Sequence, residues 1–141
     1  MQSSIASRAA GRVRPARANH GQTTRTRTAA LKDNFARLSA EFPPESMQKV
    51  VVRDASGAEV ASIPNADGKR ASLVFYAAAA AKHGGELTSA AADDLLSWYH
   101  EFTEAARAHR GSHPNIDLPL DVKSGAIKGG PLRIEVVKAQ Q

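Results

Sequence analysis

The sequence predicts an α+β domain: a small three-stranded, mostly antiparallel sheet with helices packed on one face, behind a disordered basic tail. Three observations carry that expectation. Val50-Val51-Val52 and the alternating Leu132, Ile134 and Val136 read as strands, while apolar residues at helical spacing recur in three other stretches. Residues 1–28 hold six arginines, no acidic residue and two strong hydrophobes, Ile5 and Val13. So little apolar surface does not offset the entropy of ordering, and the segment reads as disordered.

That division changes the meaning of the net charge of +5. With the six arginines set aside, residues 29–141 hold 13 basic and 14 acidic groups, so the basic character belongs to the tail and not to the domain. The tail lacks the apolar centre of a secretory signal. Its composition suits an organellar transit peptide or an upstream start codon as well as a solvated arm. As a nucleic-acid-binding arm it would neutralise phosphates without aromatic stacking, giving non-specific, salt-sensitive binding. Cysteine is absent, which excludes disulfides and thiolate chemistry. The longest apolar run, Leu73 to Ala81, is half a membrane span.

In chain order, residues 29–141 read as one domain. Leu31, Phe35 and Leu38 mark one face of a helix over Ala29–Phe42, with Thr28 as N-cap and Pro43 as its stop. Gln48–Arg53 and Ala58–Ile63 form a hairpin around the four-residue loop Asp54–Gly57. Three adjacent valines place the first of these strands at the centre of the sheet. Pro64–Arg70 is a loop, and Ser72 caps a helix running through Ala77–Ala81 to Lys82, His83 and the glycines beyond. Its alanines let another backbone approach closely, within the fold or across a dimer. Thr88 caps the longest helix, whose core-facing stripe is Leu95, Tyr99, Phe102, Ala106 and His109, and Gly111 stops it. Pro114 opens a turn that Pro119 keeps short, Lys123–Gly130 is loop, and Leu132–Val137 is the last strand.

Three constellations could carry function. Gly68, Lys69, Arg70 and Ser72 stand where a helix begins, and free N–H groups there attract anions. The stretch resembles the end of a P-loop but lacks its first glycine, and its lysine is not followed directly by Ser or Thr, so the motif does not support nucleotide hydrolysis. His100, Glu104, His109, His113 and Asp117 offer metal-ligand atoms at a spacing that matches no zinc motif, so no metal or other cofactor is expected. His113-Pro-Asn-Ile-Asp117 fixes the direction of an imidazole before proline. His113, Glu104 and Asp117 could serve as acid, base or orienter, but no nucleophile elbow accompanies them.

Several of these residues resemble a family of small bacterial proteins, domain of unknown function 2322. The resemblance rests on Asp54, Gly57, Val60, Ala61 and Ile63; on Gly68 and Lys69; on Thr103, Glu104, Ala106 and Arg107; and on His113 to Asp117. It spans about Lys49 to Val137 and departs after Asp117, where the family pattern implies a longer leucine-bearing helix and this chain has Leu118-Pro119. It implies a bacterial cytosolic protein, argues against a transit peptide, and carries no activity. The expectation is a non-catalytic binding or interaction module, a possible homodimer. Its ligand or partner surface would be built from Thr103, Glu104, Arg107, His113, Asn115 and Asp117. The alternatives are a small enzyme using Glu104 or His113 on an anionic substrate held by Gly68-Lys69-Arg70, and nucleic-acid binding through the tail.

Overall fold

The computed structural model describes residues 20–127 and 130–140, with side chains from residue 30 onward. Its elements are α1 (His20–Glu41), a 3-10 turn (Pro44–Ser46), β1 (Met47–Arg53), β2 (Glu59–Pro64), α2 (Arg70–Lys82), β3 (Glu86–Leu87), α3 (Ser89–Tyr99), α4 (Glu101–Ala108), α5 (Pro114–Ser124) and β4 (Leu132–Lys138). The α+β class holds. The sheet has four strands instead of three, ordered β2-β1-β4-β3 with every pairing antiparallel. The added strand is the two-residue β3, too short to leave an alternating pattern in sequence. Gly85, at φ +84°, turns the chain into it, and its carbonyl accepts from the Ile134 N–H at 2.7 Å.

The valine strand is central, as its composition implies. Val50 lies opposite Ile63 on one side and Val136 on the other, and Val52 lies opposite Ala61 and Ile134. Val51, on the reverse face, is buried as well. The hairpin loop is five residues rather than four. Asp54 Oδ1 accepts from the Ser56 N–H and hydroxyl and from the Ala58 N–H, which keeps Ala58 out of the strand.

Helix α2 is the centre of the molecule. Seven consecutive residues, Leu73 to Ala79, are buried, so the helix is apolar all round and carries no one-sided stripe. It touches all four strands and also α1 and α3. Ala77, Ala78 and Ala79 provide the close approach expected of an alanine surface, here within the fold. It begins at Arg70, two residues before the expected cap, so Ser72 lies inside the first turn and does not cap it.

Three other elements differ from their sequence reading. Helix α1 already includes residues 20–28, so Thr28 is interior and not a cap; the first nineteen residues of the expected tail lie outside the described part. A helix once nucleated extends at little cost per residue, and the Leu31, Phe35 and Leu38 face that packs on the core supplies the nucleus.

The single long helix is two helices, because the helical backbone breaks at His100 (φ 52°, ψ −113°). Side chains bind the carbonyls around the break: Asn34 Nδ2 donates to Trp98 O at 3.2 Å, and Thr103 Oγ1 donates at 2.7 Å to Leu96 O, which also accepts from the His100 N–H. The break buries Thr103 and exposes Phe102 and His109, both of which the stripe had assigned inward.

The short turn at Pro114 is an eleven-residue helix with Pro119 inside it, ended by Gly125 in the left-handed region. Lys123 and Ser124 therefore belong to the helix and not to the loop. Proline has no N–H to give to the carbonyl four residues back, which would leave Asn115 O orphaned in a partly buried place. The Tyr76 hydroxyl donates to that oxygen at 2.6 Å. Tyr76 is fully buried, and desolvation, helped by the neighbouring Tyr99, pushes its hydroxyl well above the ordinary range, so it remains a donor.

Tyr76→Phe is therefore expected to cost about 1–3 kcal/mol by urea denaturation, the penalty of an unsatisfied buried acceptor. Adding Pro119→Ala, which restores an N–H to Asn115 O, should recover part of that loss; an additive double mutant would reject this pairing.

The end of α2 is tied to α3 by Asp94, whose Oδ2 meets His83 Nε2 at 2.7 Å and Lys82 Nζ at 3.1 Å. Burial works to raise this carboxyl, but the hydrogen bonds and charges of His83 and Lys82 overcome it and hold it below the ordinary value. A depressed folded value means stability that is present above the ordinary aspartate range and lost as pH falls through it. Chemical denaturation between pH 6 and pH 2 should show this acid loss in the native chain and a shallower one in Asp94→Asn, by on the order of 1 kcal/mol.

Candidate functional site

Two of the sequence constellations meet in one place. Where α2 starts and where the His113-Pro114 joint enters α5, the surface opens into a cleft of about 230 Å³ lined by Gly68, Lys69, Ser72, Phe102, His113 and Asn115, among others. Gly68, at φ +81°, makes the turn that brings Lys69 to the head of α2. The Lys69 N–H is used by Ala66 O, whereas those of Arg70, Ala71 and Ser72 open the helix without intrahelical acceptors. Lys69 forms no ion pair among the described residues, so its charge is uncommitted there.

Tyr99 forms the inner wall. Its hydroxyl donates to Ser72 Oγ at 2.5 Å, which leaves the serine proton available to a second acceptor. Desolvation raises the Tyr99 hydroxyl, and the bond to Ser72 only partly opposes this, so Tyr99 keeps its proton. On the far wall His113 precedes α5, and its carbonyl accepts from the N–H groups of Ile116 and Asp117 at 2.9 Å each. Its ring lies 6.1 Å from that of Phe102 at an interplanar angle of 58°.

The remaining site residues stand elsewhere. Arg70 is held by Asn65 Oδ1 and Asp67 Oδ1 at 2.9 Å each, on the outside of the loop. Asp117 accepts from Arg110 Nε at 2.9 Å and from the Gly111 N–H at 2.8 Å, tying the end of α4 to the start of α5. Glu104 pairs with Arg107 one turn along α4, and both border a separate hollow with His100, Glu101 and buried Thr103. The surface expected from Thr103–Arg107 with His113–Asp117 is thus divided between two faces. The five metal-ligand side chains are likewise scattered, and no three His, Asp or Glu side chains among the described residues stand close enough to hold a metal ion.

Sequence reasoning missed Phe102 and Tyr99 as cleft residues because helical spacing placed both in the core. It also missed Glu101, whose carboxylate oxygens are buried without a hydrogen-bond partner among the described residues. His100 Nδ1 approaches Oε1 only at 3.4 Å, without hydrogen-bond geometry. No pattern in the chain marks any of these.

The fold is that of a small α+β domain with a cleft beside the head of α2. The chain belongs to the family described as "Uncharacterized protein conserved in bacteria (DUF2322)", whose model matches residues 32–129. No curated protein and no solved structure matches it. Among the described residues no helix is long and apolar enough to cross a membrane.

The break that shapes this wall carries a backbone cost, since His100 holds a positive φ without being glycine. His100→Gly is expected to raise the unfolding free energy by about 1 kcal/mol while leaving the circular dichroism spectrum unchanged. A destabilised variant would mean that the imidazole contributes more than the strain costs.

Proposed function

We propose that this protein is a non-catalytic binding module whose ligand seat is the cleft between the head of α2 and the His113–Asn115 joint, and that the ligand carries a small anionic group. The observation that supports this most is the convergence of Lys69, Ser72, His113 and Asn115 on one cleft, although 41 or more residues separate the two pairs in sequence. An ammonium without an ion pair among the described residues, a serine hydroxyl and the helix-opening N–H groups of Ala71 and Ser72 all belong to residues that line this cleft. Together they suit a carboxylate or phosphate better than a cation or a neutral molecule.

The test is a titration of the full chain with acetate and with inorganic phosphate, followed by amide chemical shifts. Shifts should concentrate at Gly68, Ala71, Ser72 and Asn115, and Lys69→Ala should weaken binding about tenfold, the loss of one charge-assisted contact of about 1.5 kcal/mol. Shifts scattered over the surface, or an unchanged affinity in Lys69→Ala, would end this reading.

The same convergence favours one second reading, a small enzyme acting on an anion held at Lys69. In it His113 is the acid or base, since Glu104 borders a different hollow. Nucleic-acid binding through the arginine tail concerns residues 1–28, and the cleft lends it nothing.

A further inference from the structure

Phe102 is the feature that anion binding leaves over. Among the described residues only Val60 and Phe102 are large apolar side chains with substantial exposure, and Phe102 is 39% exposed in the wall of the cleft. It is there because the helical backbone breaks at His100, which turns α4 so that Thr103 faces the core in its place. The arrangement is unfavourable twice over: a non-glycine residue sits at positive φ, and an aromatic ring is left in water. Strain of this kind persists where the surrounding fold enforces it, and it concentrates where a ligand is held. The Phe102 and His113 rings, 6.1 Å apart and inclined by 58°, form an aromatic corner in the same cleft as Lys69 and Ser72. Inclined rings of this sort accept a third ring edge-to-face or offset. The volume, about 230 Å³, falls under the roughly 300–1,000 Å³ of drug-sized pockets, which limits the ligand to about one ring.

We propose that the ligand of this cleft is a small aromatic acid, with its anionic group at Lys69 and the Ser72 hydroxyl and its ring against Phe102 and His113. This rests on the anion-binding reading given above. The two fail separately in calorimetric titrations of the full chain with benzoate, cyclohexanecarboxylate and acetate. Benzoate should bind at least tenfold more tightly than acetate and measurably more tightly than cyclohexanecarboxylate. Phe102→Ala should remove the benzoate advantage and leave acetate unchanged; Phe102→Leu, which keeps apolar bulk in the fold, should remove the advantage over cyclohexanecarboxylate. Equal affinities for benzoate and acetate, or for benzoate and cyclohexanecarboxylate, would overturn the aromatic assignment while the anion seat stands. So would a benzoate advantage that survives both Phe102 variants. If neither benzoate nor acetate binds, the anion seat fails and the aromatic assignment falls with it.

Discussion

The hydrogen bond from Tyr76 to Asn115 O is the contact on which the arrangement of this protein turns. Among the described residues it joins a helix buried on every side to the α-helix that contains proline. Without it, α5 would carry an orphaned carbonyl at the place where it packs into the domain. With it, Pro119 is buried in a continuous helix, Leu120 and Ile116 reach the core, and the His113–Asn115 joint is fixed against the head of α2. The cleft follows from that fixation. Its two walls come from distant parts of the chain and are held by a buried donor one residue from Phe75, whose ring meets Tyr99 edge-to-face at 5.1 Å.

The same constraint recurs at the break between α3 and α4. Each interruption of a helix frees a carbonyl group that a side chain from another helix takes up: Asn34 for Trp98 O, Tyr76 for Asn115 O. Irregular backbone is stable here because its hydrogen bonds are completed elsewhere. The sheet's register is set by alternating apolar residues and its central strand by burial on both faces.

Functionally, these completions separate structural polar residues from available ones. Asp117, Arg110, Arg70, Asn65 and Asp94 are engaged in holding helices and loops together. Lys69, Ser72, His113 and Asn115 line a cleft, and among the described residues their side chains form no hydrogen bonds with one another. A polar motif in sequence therefore divides: the aspartate of His-Pro-Asn-Ile-Asp is a tie, while its histidine and asparagine line the cleft.

The α+β class, the central valine strand, the hairpin around Asp54, the Thr88 cap and the membership suggested by His113–Asp117 were legible in the chain, because each depends on neighbours in sequence: alternation, turn chemistry, capping. The loop at Gly68–Lys69 and the joint at His113 were also visible as separate constellations. Their meeting in one cleft was not, since it depends on how α5 docks against α3 and so comes to lie beside the head of α2. The length of α5 was hidden for a related reason: proline forbids a helix locally, and only a tyrosine hydroxyl 39 residues away in sequence restores the missing bond. The break at His100 has no glycine or proline to announce it. Helical spacing put Phe102 in the core, and the packing of α4 against its neighbours turned it out again. What the sequence by itself determined was the local preference of each segment. The tertiary structure decided which preferences were overridden, because only there do the acceptors, donors and apolar faces that outweigh them come into reach.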